Sequence, residues 1–199
     1  MYTGFFRLQK KPFQITCDPD FLWMGRKYQE ALSALTSGVM QKKGLVVLTG
    51  DVGTGKTTLL NRLVEDIKDM AWTARISDPG VGKYDFYRMV AQDLGLPLQI
   101  RKRNDFFDLL ACFLHDAHAH EKSVVLFIDE AQRLRHDLLE EIREISSLEP
   151  PDRKCLTLFL VGQSEFNAAL IRPENLSITR QIAISYTLGP LDATETAGY

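Results

Sequence analysis

Residues 50–57, Gly-Asp-Val-Gly-Thr-Gly-Lys-Thr, combine residue types and a spacing that suit the binding of a phosphate chain. Gly50, Gly53 and Gly55 allow the backbone to curl tightly, so that its N–H groups can point at one anion. Lys56 is placed to reach the β- and γ-phosphates of a nucleotide, and the Thr57 hydroxyl is placed to hold Mg²⁺. The predicted phosphate-binding residues are Gly50, Asp51, Val52, Gly53, Thr54, Gly55, Lys56, Thr57 and Thr58.

Two carboxylates, Asp129 and Glu130, directly follow an apolar run at 123–128. Ligands of open α/β sheets bind at the carboxyl ends of the strands, so this pair is expected to face the glycine loop. Asp129 would then hold Mg²⁺, directly or through water. Glu130 would orient or deprotonate the water that attacks the γ-phosphate. Together with the loop, this pair predicts hydrolysis of a nucleoside triphosphate, with Lys56 and Glu130 as catalytic residues.

A third strand end carries polar side chains, Gln163 and Ser164. A polar group at the tip of a strand beside the glycine loop can contact the γ-phosphate or the attacking water, and Gln163 is the first candidate for this role. Ser164 is the second candidate, and capping of a following helix is an equally good interpretation of that serine.

The elements that would position these groups can be read from the apolar pattern. Strands are predicted at 45–49, 72–76, 123–128, 156–161 and 182–188, and the continuous apolar runs are typical of strands buried on both faces. Helices are predicted at 27–40, from near Lys56 to Ile67, and at 84–94, 105–118 and 137–147. Alternating strands and helices predict a three-layer α/β fold of the P-loop NTPase type. Its five-stranded sheet should be mostly parallel and flanked by helices.

Bulk properties set limits on the class of protein. The chain has 199 residues, a formal net charge of −2 and three cysteines that are far apart. These values suit one sizeable domain in a reducing compartment, and they give no global reason to bind nucleic acid or anionic lipid. No signal peptide and no apolar run of membrane-spanning length is recognisable. The sequence therefore predicts a soluble, cytoplasmic protein without a membrane segment.

The motifs together resemble those of the AAA+ class of ATPases, and the ends of the chain resemble the ExeA/GspA family in particular. The stretches that carry this resemblance are Met1-Tyr2, Phe5-Phe6, Pro12-Phe13, Asp18-Pro19, Phe21-Leu22, Ile128-Asp129-Glu130-Ala131-Gln132, Leu160-Val161-Gly162-Gln163 and Pro190-Leu191. The resemblance implies an ATPase core, with ATP and Mg²⁺ as ligands, that assembles into rings or filaments. It also implies a link to type II secretion or pilus-like machines through assembly of the secretin, together with a secretion-system or inner-membrane partner.

In such assemblies an arginine of one subunit completes the site of its neighbour. The family tends to carry that arginine just before the last strand, where this chain has Gln181. Arg180 lies one residue earlier and is the candidate for this role in trans. A second departure is Cys17, where the family has proline.

The predicted organisation has three parts: an aromatic-rich arm at 1–25, the AAA+ core at 26–190, and the start of a truncated helical lid at 191–199. Two main alternatives remain open at this point, beside a phosphoryl-transferring kinase, against which the Asp129-Glu130 pair favours water as the nucleophile. The first is a DNA-dependent transposition ATPase of the MuB/TniB kind, which shares the same core. The second is a nucleotide-gated interaction module with little turnover. The chain lacks an N/T-K-x-D guanine-reading motif, which favours ATP over GTP.

Overall fold

Five strands rich in β-branched residues form a wholly parallel sheet in the computed structural model, which describes residues 25–150, 154–191 and 195–196. The strands are β1 (Leu45–Gly50), β2 (Ala71–Ile76), β3 (Ser123–Ile128), β4 (Leu156–Gly162) and β5 (Ile182–Leu188). Their order across the sheet is β2-β3-β4-β1-β5. Because every paired strand runs in the same direction, the connections between them must cross over the faces of the sheet.

Helices supply those crossovers and form the two outer layers. They are α1 (Arg26–Met40), α2 (Lys56–Ile67), α3 (Lys83–Asp93), α4 (Arg103–Ala119), α5 (His136–Ser146), α6 (Glu165–Leu170) and α7 (Leu176–Thr179). Alternate residues of β1 face opposite layers: Val46 and Leu48 pack with α1 and α2, whereas Leu45 and Val47 pack with α3, α4 and α5. The predicted three-layer α/β fold, with helices on both faces of a five-stranded sheet, is therefore confirmed.

The predicted element boundaries agree with the structure to within about two residues. The differences are concentrated between β4 and β5, where two short helices and a 3₁₀ turn, Pro173–Asn175, were not predicted. Helices this short lack the periodic apolar face from which the longer helices were recognised. Most of the predicted N-terminal arm and of the predicted lid lies outside the described residues, so that division of the chain remains a prediction.

Buried Glu141 of α5 connects the helices on one face of the sheet. Its carboxylate accepts hydrogen bonds from Lys83 Nζ at 2.9 Å, Tyr87 Oη at 2.6 Å and Arg103 Nε at 2.9 Å. Burial alone would raise the pKa of Glu141, but the hydrogen bonds from Tyr87, Lys83 and Arg103 outweigh it and hold the pKa below the ordinary glutamate value. The charged carboxylate therefore stabilises the packing of α3 and α4 against α5.

The topology separates two edges of the sheet. The carboxyl ends of β3, β4 and β1, which are neighbours in that order, deliver Asp129, Gln163 and the glycine loop to one edge. Arg180 lies two residues before the first residue of β5, Ile182, which pairs with Leu45 at the start of β1. Arg180 therefore lies at the opposite, amino edge of the sheet.

Candidate functional site

The glycine loop between β1 and α2 needs its glycines for specific geometric reasons. Gly53 and Gly55 have φ angles of +80° and +86°, a region that side chains with a Cβ rarely adopt. Gly50 meets a different constraint, because a Cβ at this position would lie 2.5 Å from the carbonyl oxygen of Leu188 in β5. The loop is therefore held in its curled form both by backbone conformation and by close packing on the neighbouring strand.

The ammonium group of Lys56 folds back over this loop. Its Nζ donates to the carbonyl oxygens of Gly50 at 2.8 Å and Asp51 at 2.9 Å. The Thr54 hydroxyl also donates to the Asp51 carbonyl, at 2.9 Å. Since Lys56 begins α2, its positive charge and the positive end of that helix lie at the same place.

A cavity of about 380 Å³ lies against the loop. The residues that line it are Val52, Gly53, Gly55, Lys56, Thr57, Thr58, Asp129, Glu130 and Gln163. Three separate segments of the chain, predicted to act together, are thus adjacent to one space. Of the other predicted residues, Gly50, Asp51 and Thr54 belong to the same loop but do not line the cavity, and Arg180 lies elsewhere.

The oxygen donors of this cavity suit a hard divalent cation. Thr57 and Asp129 both line it, and Mg²⁺ in proteins takes hydroxyl and carboxylate oxygens as ligands together with substrate phosphates. Asp129 is also held by the protein: Arg75 Nη2 donates to its Oδ2 at 2.9 Å, and the Glu130 N–H donates to its Oδ1 at 3.0 Å. The Arg75 guanidinium in turn donates through Nη1 to Asn61 Oδ1 of α2, at 2.8 Å.

The backbone turns sharply at Glu130, directly after β3. Glu130 has a φ of +52°, in the left-handed region, and it begins a 3₁₀ turn at Ala131–Arg133. Its carboxylate accepts a hydrogen bond from the side-chain amide of Gln132. Non-glycine residues in this conformation are uncommon, and Lys42 and Glu121 also adopt it, so the turn positions the Glu130 backbone without assigning its chemistry.

The tip of β4 contributes two contacts. Gln163 lines the cavity, and its backbone N–H donates to Oε1 of Gln132 at 3.0 Å. Ser164 directly precedes α6, but its hydroxyl donates to Asp51 Oδ1 at 2.5 Å and does not cap the helix. Ser164 therefore occupies the N-cap position of α6, but its hydroxyl ties β4 to the glycine loop.

Sequence reasoning missed three further residues around the site: Tyr28, Arg75 and Gln132. The hydroxyl of buried Tyr28, on α1, donates to the Thr54 carbonyl in the glycine loop. A Cβ at Gly55 would lie 3.1 Å from Cζ of the same tyrosine. Tyr28 and Arg75 contact residues that are distant in sequence, and Gln132 reaches its partners only because the backbone turns sharply at Glu130. The one available signal was Arg75, the single charged residue of β2.

Arg180 is exposed and lies away from the cavity, at the amino edge of the sheet. The side chain of its neighbour Gln181 is engaged with the end of α5, because its Oε1 accepts from Ser146 Oγ at 2.7 Å and its Nε2 donates to Ser147 Oγ at 3.2 Å. Of the two residues, Arg180 is thus the one whose side chain faces solvent.

Comparison with known proteins gives the family. A family model described as an AAA domain matches residues 39–170, which include the glycine loop, the Asp129-Glu130 pair and the tip of β4. The chain belongs to the AAA domain family. This AAA domain is 34% identical over 200 residues to General secretion pathway protein A of Aeromonas hydrophila. The match covers 100% of this chain but only 37% of that relative, so the chain spans little more than a third of its length. The resemblance to the ExeA/GspA family is confirmed.

Solved structures support the same fold. The ADP form of the ORC2 protein of Aeropyrum pernix has a TM-score of 0.69 at 16% identity, over 92% of this AAA domain and 53% of that chain. Cdc6p from Pyrobaculum aerophilum has a TM-score of 0.61 at 19% identity, over 86% and 48% of the two chains. Drosophila ORC bound to DNA has a TM-score of 0.63 at 16% identity, over 84% of this AAA domain and 44% of that chain. At these identities the likeness concerns the fold.

The described residues of this AAA domain contain no helix that is both long and apolar enough to cross a membrane.

Proposed function

We propose that this AAA domain binds MgATP between the glycine loop and the Asp129-Glu130 pair and hydrolyses it by in-line attack of water. The observation that carries the proposal is the single cavity lined by Lys56, Thr57, Asp129, Glu130 and Gln163, which come from three strand ends. The ADP and ADPNP complexes named for the Aeropyrum pernix ORC2 structure support a nucleotide as the ligand of this fold.

Each residue has a distinct role in this proposal. The loop N–H groups and Lys56 bind the β- and γ-phosphates, with Lys56 giving up its contacts to the loop carbonyls. Thr57 and Asp129 would hold Mg²⁺, which when bound neutralises charge on the phosphates. Glu130 accepts the proton of the attacking water, and Gln163 contacts the γ-phosphate or the water. Catalysis then depends on charge neutralisation and on positioning.

The proposal includes a homo-oligomer, in the form of a ring or a filament. Arg180 lies at the opposite edge of the sheet from the cavity of its own chain, so it can contribute to a nucleotide site only in a neighbouring subunit. An arginine supplied in this way stabilises the charge that develops on the transferred phosphoryl group.

The proposed biological role is to power or gate the assembly of a type II secretion or pilus-like envelope machine, including its secretin. The 34% identity to General secretion pathway protein A supports this role. The partner would be a secretion-system or inner-membrane protein, and the domain would act on the cytoplasmic side, where ATP is available.

A DNA-dependent ATPase of the MuB/TniB kind is the second candidate. Exposed Arg101 and Lys102, which adjoin each other, could contact phosphates, and one structural neighbour is Drosophila ORC bound to DNA. The net charge of −2 gives this candidate no general electrostatic support, so DNA binding would depend on a local basic cluster. A nucleotide-gated module with little turnover is the third candidate.

The deciding experiment is ATP turnover over a wide range of protein concentration, with and without long duplex DNA, with Lys56→Ala as the control that cannot bind nucleotide. A specific rate that rises with concentration and ignores DNA would support a self-assembling ATPase. A rate that appears only with DNA would favour the second candidate. Tight ATP binding without turnover would favour the nucleotide-gated module.

A further inference from the structure

The side chain of Gln132 lies between two groups of the candidate site and is hydrogen-bonded to both. Its Nε2 donates to Oε2 of Glu130, the proposed base at the end of β3. Its Oε1 accepts from the backbone N–H of Gln163, at the tip of β4, at 3.0 Å. One amide therefore connects two strand ends that both line the nucleotide cavity.

The chemistry of the two partners requires an amide at this position. A carboxylate only accepts hydrogen bonds and a backbone N–H only donates them, so the connecting group must donate at one end and accept at the other. A glutamate would place two carboxylates against each other, and a methionine would match the length without either hydrogen bond. The pairing also fixes which end of the amide is nitrogen and which is oxygen.

The surroundings hold the amide in place. A Cβ at Gly162 would lie 3.0 Å from Oε1 and 3.3 Å from the backbone nitrogen of Gln132, so the two strand ends are in close contact at this point. The left-handed turn at Glu130 and the hydrogen bond from Arg133 N to Glu130 O, 2.8 Å long, direct Gln132 back toward β4. The contact therefore depends on the backbone as well as on the side chain.

We propose that Gln132 is a positioning residue that orients the Glu130 carboxylate for water activation and couples it to the tip of β4. This inference rests on the proposed hydrolysis. By holding Oε2, the amide leaves Oε1 of Glu130 for the water. A nucleotide that contacts Gln163 moves the backbone N–H to which the Gln132 side chain is hydrogen-bonded. Glu130, at the end of β3, therefore responds to a phosphate bound at the tip of β4.

The test compares Gln132→Met with Gln92→Met, a matched change at an exposed position of α3. The dissociation constant of a fluorescent ATP analogue should stay within about twofold for both variants, because the hydrogen bonds of the Gln132 side chain go to Glu130 and Gln163 and not to the glycine loop. Turnover by Gln132→Met should fall roughly 10- to 100-fold, the range for losing a hydrogen bond to a charged group. In the Glu130→Gln background, Gln132→Met should lower turnover no further, since the two residues act as one unit.

A measurement without nucleotide provides an independent readout. The amide resonance of Gln163 should shift upfield and its hydrogen exchange should accelerate in Gln132→Met, whereas both should be unchanged in Gln92→Met. Equal or faster turnover by Gln132→Met would overturn the inference and leave the proposed hydrolysis intact. Equal loss of nucleotide binding and turnover would indicate a merely structural role and would also overturn it. Nucleotide binding without turnover by the unmodified chain would remove both proposals.

Discussion

Arg75 of β2 and Asp129 at the end of β3 form an ion pair, with Nη2 and Oδ2 separated by 2.9 Å. The proposed ligand of Mg²⁺ thus has a protein cation as its partner. Asn61 of α2 holds the same guanidinium, which links the helix that follows the glycine loop to the carboxylate on the opposite side of the cavity. The electrostatics around the carboxylate of Asp129 therefore depend on a residue of the neighbouring strand.

Replacing Arg75 by methionine should lower the Mg²⁺ concentration needed for half-maximal binding of a fluorescent ATP analogue, by roughly fivefold. A positive charge near Asp129 disfavours a second cation by about 1 kcal/mol at the separations and screening of a partly exposed site. The Mg²⁺ titration should be unchanged in Arg75→Lys, which keeps the charge. A higher Mg²⁺ requirement in Arg75→Met would mean that orientation of Asp129 by the guanidinium outweighs its charge.

Glu130→Gln should retain ATP binding and lose turnover by at least roughly 100-fold, because the amide cannot accept the proton of water. Binding is measured by equilibrium titration and turnover by phosphate release. Lys56→Ala is the contrasting variant, in which binding itself is lost. Comparable turnover by Glu130→Gln and the unmodified chain would show that another group is the base.

Arg180→Ala and Glu130→Gln should each be inactive alone and regain activity when mixed. In a mixed assembly, a site with an intact Glu130 can lie against a neighbour with an intact Arg180, and only that combination is complete. Phosphate release is measured across mixing ratios at fixed total protein. Turnover unchanged in Arg180→Ala, or no recovery on mixing, would contradict the proposed role in trans.

Tyr28→Phe should weaken ATP and ADP binding by about fivefold, the equivalent of one hydrogen bond of about 1 kcal/mol. The hydroxyl holds the Thr54 carbonyl outside the loop, and since the C=O and N–H of one peptide unit point in opposite directions, it directs the Gly55 N–H inward. Tyr84→Phe, at a half-exposed position, is the control. Affinity equal to that of the control would mean that the glycines alone set the peptide orientation.

Glu141→Gln should lower the free energy of unfolding by about 1–3 kcal/mol at pH 7, because Lys83, Tyr87 and Arg103 lose a charged acceptor. Partial exposure of Lys83 and Arg103 keeps the loss below that of a fully buried ion pair. The pKa of Glu141 is lowered in the folded state, so its contribution is complete above the unfolded value of about 4.5.

The contribution should disappear as the pH falls below that value and through the lower pKa of the folded state. Urea unfolding from pH 7 to pH 3 should therefore show the unmodified chain approaching the stability of Glu141→Gln in acid. A constant difference between the two over this range would contradict the assignment of the charge to Glu141.

The part of the site that could be predicted is the part encoded in short, local sequence patterns; contacts between residues far apart in the sequence could not be predicted. The glycine loop and the Asp129-Glu130 pair were recognisable because each is a local pattern next to an apolar strand, and the parallel topology placed them together. Arg75, Tyr28 and Gln132 could not be assigned in advance. Their roles depend on which strand neighbours β3, on how α1 packs under the loop, and on a left-handed turn at a residue that is not glycine.

The position of β4 has a consequence for the width of the site. Because β4 pairs with both β3 and β1, the strand ends that carry Asp129 and the glycine loop are separated by two inter-strand spacings, or about 9.6 Å. That separation is set by main-chain hydrogen bonds and not by the side chains that line the cavity. Substitutions at the strand ends can therefore change the chemistry of the site while the distance between the glycine loop and the end of β3 stays constant.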